Sequence, residues 1–292
     1  MGGRVYPRSA KEFDDVEQML EQNVFVGAGP DEPIIGPGAT VVTMGSCFAE
    51  NIGRSLARAN LEVVVNRLHE EANSPMANAA LLDYLMLREQ SAQAHLFNGH
   101  IKADAIDRIL RPIAAAHCLI FTVGVGITGF DKRTGKMVLT PNTRELRHMN
   151  WVFPSQADQE EFLATIVAQL RQIKPRLPLV ITLSPVPLYR SITSESPFVE
   201  DCVSKSILRA AIHSLMQRQI PDLYYWPSFE AFRWMGSHTG PVYGKDDDLP
   251  RHVNNDLVDL VTRSFMRKFA GLEPGLASAG AKPQVNTLVP DV

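Results

Sequence analysis

The chain predicts an α/β fold in which a parallel sheet is covered by helices on both faces, and three observations lead there. Its β-branched apolar runs show little alternation, stretches of helical periodicity separate them, and several runs end abruptly in Gly, Ser or Pro. Strands buried on both faces need no polar side, and the intervening helices supply the covering layers. In such sheets the functional site lies beyond the carboxyl ends of the strands.

In chain order, the first strand is Val41-Val42-Thr43 within "TVVTMGSCFAENIGRSLA" (40–57), and Ile52 and Leu56 recur at helical spacing directly after it. Gly45-Ser46-Cys47 is then a tight turn from strand into helix. "LEVVVNRL" (61–68) reads as a second strand and "MANAALLDYLMLREQ" (76–90) as a helix. "HCLIFTVGVG" (117–126) is a third strand ending in glycines, and "QADQEEFLATIVAQLRQIK" (156–174) is an amphipathic helix with start signals. "LPLVITLSPVPL" (177–188) is a fourth strand stopped by Ser-Pro, and "SKSILRAAIHSLMQRQ" (204–219) is a helix. "DLYYWPSFEAF" contains the fifth strand, and the helix from Asn254 closes the domain with Gly271 as its C-cap. Residues 1–38, with "GAGPDEP" and "GPG", form a lead-in; 39–271 form the α/β domain; 272–292, rich in Gly, Pro and Ala, form a flexible or surface-draped tail.

Composition narrows the function. A net charge of −3 with both signs interspersed leaves no basic stripe for nucleic acid. No apolar run reaches membrane-spanning length and the amino-terminal residues lack a signal-peptide core, so no membrane partner is expected. Cys47, Cys118 and Cys202 are odd in number and far apart, which argues against a disulfide framework or cysteine zinc site and suits a reducing, cytoplasmic location. The histidines show no i, i+4 pair with carboxylates, so neither a metal nor another cofactor is expected. "GVGITG" (124–129) has nominal dinucleotide-loop spacing, but its strand is not the first, as that fingerprint requires.

The turn carries the chemistry. Ser46 precedes a helix whose first N–H groups are unpaired. It is either an N-cap or a nucleophile whose oxyanion those groups hold.

"GSCFAENIG" resembles the signature of the GSCFA family, whose members look like SGNH-type hydrolases with a flavodoxin-like parallel sheet in a three-layer sandwich. "TLSPVPL" (182–188), "SKSILRAAI" (204–212) and "WPSFEAF" (226–232), with Phe229 where tyrosine is usual, resemble further family motifs. The resemblance spans about Thr40 to Ala270. It implies that Ser46 is the nucleophile and His252, just before the last helix, the general base. The superfamily's aspartate stands three residues ahead of its histidine; here that position is Leu249, so Asp248, four ahead, is the expected partner, with Asp247 beside it as the alternative. Oxyanion and substrate-binding groups are expected at the backbone N–H groups about Ser46, from Gly45 to Cys47, at Gly124 or Gly126, and at Asn142 or Asn73. Thr143 and Arg144 replace the Cys-His that follows the family's asparagine, and Ser74 separates Asn73 from Pro75. The Cys47 side chain is expected beneath the site, and His238 is the rival base.

The implied activity is a metal-independent serine hydrolase or O-acyltransferase acting on an O-acyl ester, of acetyl type and carried by a small molecule or carbohydrate. The alternative is a binding or scaffolding protein that keeps the fold without turnover.

Overall fold

The computed structural model describes residues 5–66, 73–97, 101–139, 145–193, 196–272 and 286–288. In chain order the elements are α1 (Val16–Met19), which continues into a π turn over Leu20–Val24, β1 (Thr40–Gly45), α2 (Cys47–Arg58), β2 (Glu62–Asn66) and α3 (Pro75–Leu87). Next come α4 (Ala103–Ala115), β3 (Cys118–Val123), β4 (Thr128–Asp131), β5 (Met149–Val152), α5 (Gln156–Ile173) and β6 (Leu179–Leu183). The chain closes with α6 (Pro197–Gln217), β7 (Leu223–Tyr225), α7 (Ser228–His238), α8 (Asn255–Ala270) and the short β8 (Asn286–Leu288).

The main sheet has the order β7-β6-β3-β1-β2-β8, and every neighbouring pair is parallel. Its first five strands by sequence lie as second, first, third, fourth, fifth, which is the flavodoxin-like arrangement. Successive residues of each central strand enter opposite layers. Val42, Met44, Leu119, Phe121 and Ile181 pack with α3, α4, α5 and α6, whereas Val41, Cys118, Ile120 and Val180 pack with α2, α7 and α8. This two-sided burial is the physical reason that the strands lack alternation.

Several boundaries differ from the sequence reading for identifiable reasons. α6 starts at Pro197 rather than 204, because the Ser196 hydroxyl accepts from the Val199 N–H and Pro197 sits in the first turn. The strand in "DLYYWPSFEAF" ends at Tyr225, and Ser228 onward is helix α7. α4 was not expected. It places Ala105, Ile106, Ile109 and Ile113 on one buried stripe and tolerates Pro112 inside. The antiparallel pair β4–β5 was also not expected; its strands are only four residues each.

The lead-in is packed into the domain. Phe13, Leu20, Phe25 and Ile35 are buried in the core layer formed with α7 and α8. Phe25 stacks on Trp226 with ring centroids 4.3 Å apart, and the Ile34 and Ile35 N–H groups both donate to the Phe269 carbonyl at 2.8 Å. Arg263 and Arg267 of α8 pair with Glu17 of α1. In the tail, residues 286–288 extend the sheet beside β2, while 273–285 and 289–292 lie outside the described residues.

Removing the Phe25 ring leaves a void against Trp226. Phe25→Ala is therefore expected to lower stability by about 3–5 kcal/mol, read as a reduced urea midpoint with an unchanged slope. A loss below about 1 kcal/mol would show that the lead-in is not part of the cooperative unit.

Candidate active site

The site begins where β1 stops. Gly45 has φ +110°, and a Cβ there would lie 2.2 Å from the Thr122 carbonyl oxygen, so only glycine fits the end of this strand. The Ser46 N–H then donates to that same carbonyl at 3.0 Å, the last rung between β1 and β3. Beyond it the chain turns into α2. The crevice between β1 and β3 is where the strand order reverses, the usual location of a ligand site in an open parallel sheet.

Ser46 is the N-cap residue by position, with φ −68° and ψ 168°, yet its hydroxyl caps nothing. Its Oγ is bonded to Thr122 Oγ1 at 2.8 Å, and the residue is 5% exposed. An N-cap serine ordinarily accepts from the second or third helical N–H. Here the side chain faces β3 instead.

Gly124 closes the other wall. A Cβ on Gly124 would stand 3.2 Å from the Ser46 Cβ and 3.0 Å from both the Asn73 Cβ and its carbonyl oxygen. Ser46, Gly124 and Asn73 are thus neighbours in space. In a parallel ladder the Gly124 N–H points to the β1 side, where the next rung would form had β1 continued. Among the described residues it has no acceptor. Gly126 is spent elsewhere, its N–H on Ser204 Oγ at 2.8 Å and its carbonyl on Gln159. The Ser46 N–H is likewise committed to Thr122, a correction to its expected place among the oxyanion donors. Among the described residues Asn73 Oδ1 is buried without a hydrogen-bond partner, and Asn142 lies outside them.

The second half of the site is the loop before α8. His252 Nδ1 is bonded to Asp247 Oδ2 at 2.5 Å, and Asp247 Oδ1 accepts the Leu249 N–H at 3.0 Å. The expected Asp248 partner is therefore corrected to Asp247, five residues ahead. Asp248 occupies a left-handed position at φ 60°, with its N–H on the Gly244 carbonyl, and this reversal brings the preceding carboxylate to the imidazole. The bond to His252 holds the Asp247 carboxyl below its ordinary range.

Two side chains absent from the sequence reading fix that loop. Asn254, 4% exposed, accepts from the Lys245 N–H and donates to the Pro241 carbonyl. Tyr243 donates to the Pro185 carbonyl at 2.9 Å, docking the loop on the end of β6, and burial pushes its phenol up to about 12, so it remains a donor. Asn254 beside the last helix was the available signal. Tyr243 offered none.

A cleft of about 390 Å³ is lined by His252, Asp247, Asp246 and Arg251 on one side and by Cys47, Glu50, Asn51 and Arg54 of α2 on the other. The loop and the turn are thus neighbours in space, although no hydrogen bond joins Ser46 to His252 among the described residues. The Cys47 side chain is exposed in this cleft and not packed beneath it. As the first helical residue it is rotated away from the direction taken by Ser46. His238 is occupied elsewhere, bonded to Tyr6 at 2.7 Å and stacked on Phe13 at 4.0 Å.

The family model described as the GSCFA family matches residues 40–265. No curated protein matches. Among solved structures, the chain is similar to "Salicylyl-Acyltransferase SsfX3 from a Tetracycline Biosynthetic Pathway", with 14% identity and a TM-score of 0.39. That match covers 85% of this chain and 58% of the other, so the present chain spans little more than half of its length.

A carboxyl whose folded pKa is depressed contributes stability above its unfolded value and loses it as pH falls through the folded one. Asp247 is therefore expected to titrate below 3.8 by carbon-detected NMR and to return toward that value in His252→Ala. An unchanged titration in the variant would show that the pair does not persist in solution.

Proposed function

The chain belongs to the GSCFA family, and we propose that it is a serine hydrolase or O-acyltransferase of SGNH type acting on an O-acyl ester, with acetyl as the acyl group and a carbohydrate as its carrier. Family membership fits an acyl-ester hydrolase or transferase. The observation that carries the finer reading is the Asp247–His252 hydrogen bond in a cleft whose opposite wall is the first turn of α2, immediately after Ser46.

In this reading Ser46 Oγ exchanges Thr122 for His252 Nε2 and attacks the ester carbonyl carbon. Its proton passes to the imidazole, whose other nitrogen stays on Asp247. The carbonyl oxygen becomes an oxyanion facing the Gly124 N–H and the positive end of α2. Collapse breaks the carbonyl carbon–alkoxy oxygen bond, the imidazolium protonates the departing alkoxide, and the acyl group remains on Ser46. Water, or the hydroxyl of an acceptor, then attacks the acyl carbon with His252 again taking the proton; the bond from that carbon to Ser46 Oγ breaks, the imidazolium returns its proton to Oγ, and the result is hydrolysis or transfer respectively. The carbohydrate is supported by the polar lining from Glu50, Asn51, Arg54 and Asn255. Tyr189, 77% exposed and 4.7 Å from the Arg251 guanidinium, adds an aromatic face at the rim.

A second reading uses Cys47, because it is exposed in the cleft with His252 while Ser46 is nearly covered. A fluorophosphonate probe distinguishes the two. Wild-type protein and Cys47→Ala are expected to be labelled and Ser46→Ala is not. Loss of turnover in Cys47→Ala with full activity in Ser46→Ala would transfer the role to the thiol. Folded protein with neither labelling nor turnover on activated acetyl esters would favour a binding protein.

Asp247→Asn is expected to lower kcat by about 10²- to 10⁴-fold with little change in thermal stability, since it removes the group that orients the base while leaving an exposed loop intact. Asp248→Asn is expected to retain activity. EDTA should leave turnover unchanged; inactivation reversed by zinc or manganese would overturn the mechanism.

A further inference from the structure

Behind the turn, α6 supplies a clamp that the mechanism above does not use. Lys205 is 2% exposed, and its Nζ donates to the Gly124 carbonyl at 2.5 Å. Ser204, fully buried beside it, accepts the Gly126 N–H at 2.8 Å. Gln159 of α5 donates to the Gly126 carbonyl at 2.9 Å, and the Val125 N–H reaches the Asn73 carbonyl at 3.2 Å. The Gly124 carbonyl, the Val125 N–H and both backbone groups of Gly126 are thereby held, whereas the Gly124 N–H has no acceptor among the described residues. That N–H belongs to the Val123–Gly124 peptide, whose carbonyl accepts the Ser184 N–H at 2.8 Å and is polarised by it.

Lysine is an expensive way to hold one carbonyl. Burial pushes its ammonium down to about 8, partly offset by Asp201 and Cys47 and reinforced by Arg233. Arg233 in turn is paired with Asp201 at 2.8 Å. A neutral side chain would satisfy a strand-end carbonyl at lower cost. The cation therefore has another use, and its location one peptide from the Gly124 N–H, beside Ser46, indicates it.

Resting on the serine reading above, we infer that Ser204 and Lys205 are positioning residues that hold the Gly124–Gly126 segment so that the Gly124 N–H meets the oxyanion formed at Ser46, with the Lys205 ammonium supporting that negative charge from beneath. Neither touches the reacting atoms. Their effect falls on the transition state, so it belongs in kcat and not in KM.

The test compares wild type, Ser204→Ala, Lys205→Met and Lys205→Arg for turnover of p-nitrophenyl acetate, for the rate of fluorophosphonate labelling at Ser46, and for thermal melting. Lys205→Met is expected to lower kcat and the labelling rate by about 10- to 100-fold with KM within about twofold, and Lys205→Arg to recover part of the loss. Ser204→Ala, which removes one hydroxyl and should fold even if Lys205→Met does not, is expected to lose about tenfold in kcat, again at constant KM. Folded variants with wild-type kcat and labelling, or a loss confined to KM, would overturn the inference while leaving Ser46 as nucleophile. A wild-type protein that neither turns over nor labels would overturn the serine reading, and the inference with it.

Discussion

The candidate-site end of the molecule depends on one rung of the sheet, the Ser46 N–H on the Thr122 carbonyl at 3.0 Å. That bond continues the β1–β3 ladder one residue past Gly45, and the carbonyl occupies the space where a Cβ of Gly45 would stand. The chain can leave the sheet only here, at a residue with no side chain and a positive φ. It passes directly into α2, whose N-terminus opens at the crevice where the sheet order reverses. The Ser46 hydroxyl, bonded to Thr122 and not to its own helix, is the local consequence.

Because β1 ends first, β3 is left with one donor too many. The Gly124 N–H faces a strand that has turned away, and a buried donor without an acceptor is costly unless something else compensates. The segment that carries it is held by α5 and α6 from behind and by Asn73 from the side. A donor fixed in this way loses little reorganisation energy when charge develops before it. The same constraint explains why glycine stands at 124, with Ser46 and Asn73 both close to where a Cβ would be.

The histidine loop is built on a different principle. It has little core of its own, and His252 is about half exposed. Hydrogen bonds from Asn254, at the end of the loop, back to Pro241 and Lys245 nearer its start, and of Tyr243 to the end of β6, give it a defined shape. The left-handed Asp248 sets which carboxylate reaches the ring. The lead-in supports the same layer, with Phe25 against Trp226 and Glu17 between two arginines of α8. Segments remote from the site thus hold the helix that carries the histidine loop.

By itself the sequence determined the chain order of β1, β2, β3, β6 and β7, because strands buried on two faces must be apolar throughout, and of helices α2, α3, α5, α6 and α8, because long helices must carry a stripe; α4, α7 and the pairing of β8 were decided by the tertiary structure. It also determined the strand–turn–helix at Ser46, because glycine and a capping-type serine at that junction leave few alternatives. The resemblance of "GSCFA" and the later motifs pointed to the turn at Ser46 and to His252. Only the tertiary structure decided which aspartate meets His252, since one left-handed residue changes the partner without altering the composition. It alone decided that Cys47 faces the cleft, that His238 is held by Tyr6 and Phe13, and that Lys205 lies under Gly124. Those outcomes rest on contacts between residues tens to hundreds of positions apart, and local periodicity carries no information about them.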